Sequence, residues 1–241
     1  MSLEFAKITK NTEEYVDYMQ NYLDMKKSCT NMFNGAKTLT TINDLLRPSH
    51  TSNVTNMQYM FYNCSNLTTI PLLDTSKVHT MTCMFYSCPK LTSIPPLDTS
   101  KVNSMNQMFY QCYKLKTIES LDMSNVTDVG QMFLWCYELT NLTLRNIKKG
   151  LQIGSGTSWG HLLTLDSLVN TCKECINIGS ANTLTIGSAN IEKLASVYVR
   201  LTNEPEEDET NPKLPCEVCE ATDEGAMLIT EYMALKNWTI Q

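Results

Sequence analysis

Two Cys-x-x-Cys pairs are the residues best suited to bind a metal. Cys172 and Cys175 form the first pair, and Cys216 and Cys219 form the second. Four thiolates at this spacing could hold zinc in a tetrahedral site. However, the first pair lies within an amphipathic helical pattern, and the second lies in a strand-like segment where residues i and i+3 point to opposite faces. We therefore expect no metal or cofactor, with a zinc site on these four cysteines as the alternative.

A Gly-x-Ser-x-Gly motif at residues 156–160 places Ser158 where the nucleophile of an α/β-hydrolase would stand. That fold also needs a histidine after the acidic member of the triad. The three histidines are His50, His79 and His161, so none follows Asp166. The motif therefore indicates a glycine-rich loop, and a hydrolase acting through Ser158 is the third alternative for function.

Three aspartates recur every 24 residues, at Asp74, Asp98 and Asp122. Such a column could recruit a cation. Each aspartate is followed by a serine two residues later, and short acidic side chains commonly accept hydrogen bonds from their own turn. The pattern favours turns over a cation site.

The composition argues against two classes of partner. The net charge is −6 with no basic patch, so we expect no nucleic acid partner. No apolar run of about 18 residues is present, so we expect no membrane span. The N-terminal residues lack the basic and apolar segments of a signal peptide, which disfavours a protein secreted by its own signal.

These candidate sites accompany a 24-residue repeat. A Met-Phe pair and then a cysteine recur at this step: Met60, Phe61 and Cys64; Met84, Phe85 and Cys88; Met108, Phe109 and Cys112; Met132, Phe133 and Cys136. Apolar residues at i, i+3, i+4 and i+7 within 57–64 predict a short helix in each repeat. Residues 67–70 and their counterparts predict a brief strand, followed by the aspartate turn. We expect the repeat cysteines to be buried thiols, although adjacent repeats would be close enough for disulfides.

The repeat, V-T-x-M-x-x-M-F-Y-x-C-x-x-L-T-x-I-P-x-L-D-T-S, resembles the BspA-type leucine-rich repeat family, which includes repeats first catalogued as a Mycoplasma-type domain of unknown function. The resemblance covers roughly residues 29–145. It implies a right-handed solenoid used for binding, found on bacterial surfaces and in prophage tails. It implies no catalytic residues.

The predicted fold is therefore α/β: a right-handed leucine-rich-repeat solenoid with 24-residue helix-strand repeats and parallel stacked strands. Residues 1–28 are expected to form an N-terminal helical cap, and residues 29–147 the repeats. Residues 148–241 are expected to form an α+β C-terminal cap or attachment module.

Aromatic residues form the predicted binding surface. Tyr62, Tyr86 and Tyr110 directly follow the Met-Phe pairs, which on a helix places them about 150° from the centre of the apolar face. Three further aromatics lie beside the third and fourth repeats: Tyr113, Trp135 and Tyr137. The tyrosines are expected either to form an exposed ladder for protein or sugar contacts, or to pack edge to edge between helices.

We expect a non-enzymatic recognition module that binds a protein or carbohydrate at a bacterial cell surface, as an adhesin does. The alternative is a structural component of a phage or prophage tail, in contact with other virion proteins. The absence of an export signal favours a virion-associated location over an independently secreted surface protein.

Overall fold

The computed structural model describes residues 27–42, 46–148, 150–152, 163–175, 182–186, 188–201 and 216–240. Residues 1–26 of the expected N-terminal cap and the motif that contains Ser158 lie outside these residues.

Helices and strands are short throughout the described residues. In chain order they are α1 (Pro48–Thr51), β1 (Thr117–Asp122), β2 (Asn141–Arg145), β3 (Leu151–Gln152), α2 (Leu165–Glu174), β4 (Asn182–Thr185), α3 (Ser188–Leu194), β5 (Tyr198–Leu201), β6 (Cys216–Cys219), β7 (Met227–Leu228), α4 (Ile229–Leu235) and β8 (Trp238–Ile240). Over the ranges described, no helix has the length and apolar character needed to cross a bilayer.

The repeats contain successive turns where helices were predicted. In residues 57–64, the N–H groups of Met60, Tyr62 and Cys64 each bond to a carbonyl three residues earlier. Tyr59 and Asn63 have φ angles of 55° and 57°, in the left-handed region. Because a right-handed helix cannot contain such residues, the helix prediction is wrong. The same alternation recurs at Cys83, Ser87, Gln107, Gln111, Gln131 and Trp135.

The remaining N–H groups of each turn segment join one repeat to the next. Met57, Tyr59, Phe61 and Asn63 donate to carbonyls of the following repeat over 2.7–3.1 Å. Isolated parallel bridges accompany these bonds and connect Ser28, Asn56, Thr80, Ser104 and Asp128 in succession. Alternate N–H groups of each turn segment thus bond within their own repeat and to the next repeat, so the backbone donors of this buried segment are satisfied.

The predicted right-handed leucine-rich-repeat solenoid, with helix-strand repeats and parallel stacked strands, is also wrong. In the described part of the chain, the strands form three small separate sheets, in the orders β1-β2, β3-β4-β8 and β6-β5-β7. Among the repeat residues that the structure describes, only β1 and β2 pair as parallel strands. Single bridges and turn-to-turn hydrogen bonds connect the other repeats, in place of a continuous sheet.

Proline explains why the strands predicted at residues 67–70 and 91–94 do not form. Pro71 follows the first predicted strand, and Pro95 and Pro96 follow the second. Proline has no N–H group to donate to a neighbouring strand. The third repeat has Glu119 and Ser120 at the matching positions, and there β1 forms.

The apolar positions of the repeat are buried as predicted. Phe61, Phe85 and Phe109 are fully buried, and the aromatic rings of successive repeats stack face to face with centroids 5.3–6.0 Å apart. The column runs through Phe33, Phe61, Phe85, Phe109 and Phe133. A continuous apolar core therefore connects the repeats, although the helices predicted at residues 57–64 and the equivalent positions are replaced by turns.

Helix α2, which the sequence predicted, covers the last repeat. The backbone N–H of Thr164, its N-cap, donates to the carbonyl of Thr140 over 2.9 Å. Ser167 on α2 accepts a hydrogen bond from the N–H of Leu142 in β2 over 3.1 Å. These two hydrogen bonds join the start of α2 to Thr140 and to Leu142 of β2.

The C-terminal elements include both strands and helices. The strand-like segment that carries the second Cys-x-x-Cys pair is β6, which pairs antiparallel with β5. Ile229, Tyr232 and Met233 of α4 are buried. Helix α3 follows β4.

Candidate functional site

Tyr62, Tyr86 and Tyr110 form a stack of rings that we call the tyrosine row. Ring centroids are 4.7 Å apart between Tyr62 and Tyr86, and 4.5 Å apart between Tyr86 and Tyr110. The interplanar angles are 13° and 6°, so the rings lie face to face. Each side chain is half-buried. The row therefore matches neither expectation, because stacking covers the ring faces and leaves mainly edges and hydroxyl groups at the surface.

Two tilted aromatic rings bound the tyrosine row. Tyr59 contacts Tyr62 edge-on at 5.6 Å and 65°, and Trp135 contacts Tyr110 at 5.1 Å and 53°. We call the five residues together the aromatic strip. Sequence reasoning included Trp135 but missed Tyr59, whose signal was an aromatic residue three positions before Tyr62.

The bounding residues occupy backbone positions that are unusual for aromatic side chains. Tyr59 and Trp135 have φ angles of 55° and 67°, in the left-handed region. The equivalent positions in other repeats carry smaller or polar residues: Asn63, Cys83, Ser87, Gln107, Gln111 and Gln131. A large side chain in this region costs on the order of 1 kcal/mol, and such strain is concentrated at functional sites.

Tyr113 and Tyr137, the other predicted binding residues, form a second stack. Their ring centroids are 5.4 Å apart and their planes differ by 18°. Tyr137 is 44% exposed, whereas the other five predicted binding residues are half-buried. The predicted surface thus divides into the aromatic strip and this pair.

The segments that carry the aromatic strip are nearly free of charge. They are residues 56–64, 80–88, 104–112 and 128–136, and Asp128 is their one charged residue. Amides and hydroxyls beside the strip are bonded from repeat to repeat: Gln107 donates to Gln131 over 2.7 Å, and Asn106 donates to Asp128 over 2.9 Å. These side chains are therefore held in place before any ligand arrives.

The phenol of Tyr86, at the centre of the row, stays protonated at neutral pH. Burial raises the pKa of Tyr86, and the neighbouring phenols of Tyr110 and Tyr62 raise it further. A neutral tyrosine hydroxyl both donates and accepts hydrogen bonds.

The aspartate column consists of turns, as predicted. Asp74 and Asp98 each accept hydrogen bonds from the backbone N–H and the hydroxyl of the serine two residues later. Asp122 accepts from the N–H of Ser124 and from the side chain of Asn146. Hydrogen bonds from Ser76 lower the pKa of Asp74. These hydrogen bonds show that the aspartates stabilise their own turns.

The four cysteines of the Cys-x-x-Cys pairs do not form a metal site. Cys172 lies in α2 and Cys175 at its C-cap, both buried, whereas Cys216 and Cys219 are half-buried in β6. Among the residues that the structure describes, no group of three or more His, Cys, Asp and Glu side chains could hold a metal ion. Burial raises the pKa of Cys172 to about 12, which is the opposite of what a redox thiolate needs.

A buried lysine, Lys236, lies beside Cys172 of the first Cys-x-x-Cys pair. Lys236 is fully buried and donates to the carbonyls of Cys172 and Lys173 and to the hydroxyl of Tyr232, over 2.7–3.4 Å. The ammonium group thus caps the C-terminal end of α2, where a positive charge is favourable. Sequence reasoning missed it, because lysine at a helix end normally indicates an exposed residue.

Comparison with known proteins gives one finding. Residues 27–146 match the family model described as "Mycoplasma protein of unknown function, DUF285". No curated protein and no solved structure matches the chain. The match confirms the Mycoplasma-type part of the predicted resemblance. The repeat segment, about half of the chain, is therefore similar to the DUF285 family, which is related to the BspA-like repeat proteins.

Proposed function

We propose that this protein is a non-enzymatic recognition module that binds a protein or a glycan at a bacterial surface. The aromatic strip is the proposed contact surface. The observation that carries the proposal is the face-to-face stack of Tyr62, Tyr86 and Tyr110, bounded by Tyr59 and Trp135.

Rigidity supports this role. Tyrosine and tryptophan provide large contact areas and a polar atom, and they dominate many binding surfaces. Each ring of the row is supported by its neighbour, and the backbone beneath it bonds to the next repeat. Little side-chain entropy is then lost on binding, which favours affinity.

The relationship to BspA-type repeat proteins is a second part of the proposal. It is supported by the recurring Met-Phe-Tyr-x-Cys pattern and by the matched family's relation to BspA-like proteins. It concerns ancestry and surface binding, and it does not include the solenoid geometry, which the structure contradicts.

We also propose that residues 148–241 cap the repeats. The bonds from Thr164 and Ser167 to the last repeat support this assignment. Further support comes from the parallel bridge between Ile147 and Cys175, which extends the contact to the end of α2.

Binding of the fluorescently labelled protein to intact cells from a panel of bacterial strains tests the proposal. The comparison variant is Tyr62→Ala/Tyr86→Ala/Tyr110→Ala, and the matched control is Tyr113→Ser, which adopts the residue of the equivalent Ser65. We expect the triple variant to bind at least about tenfold more weakly and the control to bind normally. Thermal melting of both variants checks that they are folded. Failure of the wild-type protein to bind any strain would contradict the proposal.

A further inference from the structure

We infer that the aromatic strip binds an uncharged, linear oligosaccharide. This inference rests on the proposed recognition function and narrows its partner from two classes to one. It follows from the charge, shape and hydrogen-bonding groups of the strip.

Charge is the first argument. Asp128 is the one charged residue in the four segments that carry the strip. About a quarter of the residues in an average protein are charged, and protein partners normally meet complementary charges across an interface. A nearly neutral surface offers no such complement to a protein or to an acidic polymer, but it suits a neutral sugar chain.

The chemistry of the polar groups is the second argument. Hydroxyl groups of sugars donate and accept hydrogen bonds, and so do the phenols, amides and hydroxyls of the strip and its border. The amide of Gln107 is fixed by its bond to Gln131, and the hydroxyl of Thr82 lies 2.8 Å from that of Ser104. The amide of Gln107 and the hydroxyl of Thr82 keep capacity for a further bond to a ligand, whereas the hydroxyl of Ser104 already bonds to Thr82, Asn106 and Asp128.

Shape is the third argument. The strip crosses four successive repeats, so its ligand must be extended in one direction. Tyr59 lies beside Tyr62 in the first of these repeats and Trp135 lies in the fourth, with rings tilted by 65° and 53° to their neighbours. The planes of these two rings therefore differ from those of the stacked rings. They would hold sugar rings in the first and fourth repeats, while the hydroxyls between them bind the chain.

The protein supplies its own matched substitutions for a test. Gln107 and Gln131 occupy the position equivalent to Tyr59, and Gln111 occupies the position equivalent to Trp135. In the variant Tyr59→Gln/Trp135→Gln, each new residue already occurs in the same backbone conformation elsewhere in the repeats. We expect this variant to melt no lower than the wild type, and to bind cells at least about tenfold more weakly.

The probes are cells of a strain that binds the wild-type protein, in three forms: untreated, oxidised with periodate, and digested with protease. Periodate cleaves the carbon–carbon bond of vicinal diols and so destroys sugar rings. We expect periodate to abolish binding, protease to leave it unchanged, and salt between low and physiological concentration to have little effect, because a neutral ligand is not screened.

The outcomes separate this inference from the function on which it rests. Loss of binding after protease but not periodate would show a protein partner, and it would overturn the inference while the recognition function stands. Strong salt dependence, or full binding by the Tyr59→Gln/Trp135→Gln variant, would also overturn it. The absence of binding to every untreated strain would overturn both.

Discussion

The thiol of Cys88 donates a hydrogen bond to the carbonyl oxygen of Phe61, in the preceding repeat, over 3.0 Å. Cysteine thiols bond to phenylalanine carbonyls in the same way over 3.0–3.1 Å in three more pairs: Cys64 with Phe33, Cys112 with Phe85 and Cys136 with Phe109. The repeat cysteine is therefore both a small apolar residue and a connector between repeats. A disulfide would abolish these bonds, because its sulfur atoms carry no hydrogen.

Replacing Cys88 by alanine tests this connection. We expect Cys88→Ala to lower the free energy of unfolding by about 1–2 kcal/mol, because it removes a buried hydrogen bond and leaves a small cavity. Urea denaturation followed by circular dichroism measures the change. The control is Cys219→Ala, at a half-buried thiol outside the repeats, which should cost no more than about 0.5 kcal/mol. Equal effects of the two substitutions would contradict the connecting role.

The same thiols predict unfolding at alkaline pH. Burial raises the pKa of Cys64 and Cys136 from 9.0 to about 12. Between these values the unfolded chain loses the thiol protons while the folded chain keeps them, so the unfolded state binds fewer protons and stability falls as pH rises. Each such thiol contributes a loss of about 1.4 kcal/mol per pH unit in this window.

Denaturant titrations at pH 8, 9, 10 and 11 would measure this slope, with Cys64→Ala as the comparison. The variant should be less stable than the wild type at pH 8 but should lose stability more slowly above pH 9. Parallel pH profiles for the two proteins would be incompatible with a protonated, buried Cys64.

The phenylalanine column predicts a large effect at its centre. Phe85 is fully buried, with its ring between Phe61 and Phe109 at 5.4 and 5.6 Å. We expect Phe85→Ala to cost about 3–5 kcal/mol, since the cavity cannot be filled without moving adjacent repeats. Leu72, which is 53% exposed, supplies the control Leu72→Ala, with little expected change. A loss below about 1 kcal/mol for Phe85→Ala would rule out a continuous column.

The buried position of Lys236 predicts that its substitution destabilises the C-terminal part of the protein. The substitution Lys236→Met keeps an unbranched side chain but removes the donor to the carbonyl of Lys173, 2.7 Å away. We expect it to destabilise the protein by about 1–3 kcal/mol, because a buried carbonyl at the end of α2 loses its charged donor. Thermal unfolding, with the exposed Lys114→Met as control, measures this. An unchanged melting temperature would show that the ammonium group does not cap α2.

Periodicity revealed the repeats but not their local conformation. The spacing i, i+3, i+4, i+7 identified Met57, Met60, Phe61 and Cys64 as the buried face, and all four are fully buried. The same spacing fits a series of turns that returns a side chain to the core at similar intervals. Gly35 is the one glycine among the left-handed residues described in the repeats, and the others include Tyr, Cys, Gln and Trp, so the sequence pattern could not distinguish turns from a helix.

The candidate site was predictable in its residues and not in its geometry. The step of 24 residues aligned Tyr62, Tyr86 and Tyr110, but the helical interpretation predicted an exposed ladder or edge-to-edge packing in place of face-to-face stacking. Their face-to-face contact arises because turn-to-turn hydrogen bonds hold successive repeats at the distance of stacked rings. The burial of Lys236 could not be predicted, since two of its three partners, the carbonyls of Cys172 and Lys173, lie more than 60 residues earlier in the chain.

Retention of the labelled protein by intact bacterial cells tests the central claim most directly, with wild type, Tyr62→Ala/Tyr86→Ala/Tyr110→Ala and Tyr113→Ser measured side by side. The recognition function predicts saturable binding by the wild type and by Tyr113→Ser, and loss of at least about tenfold in the folded triple variant. Equal binding by all three proteins, or binding by none of them, would contradict a recognition role for the tyrosine row.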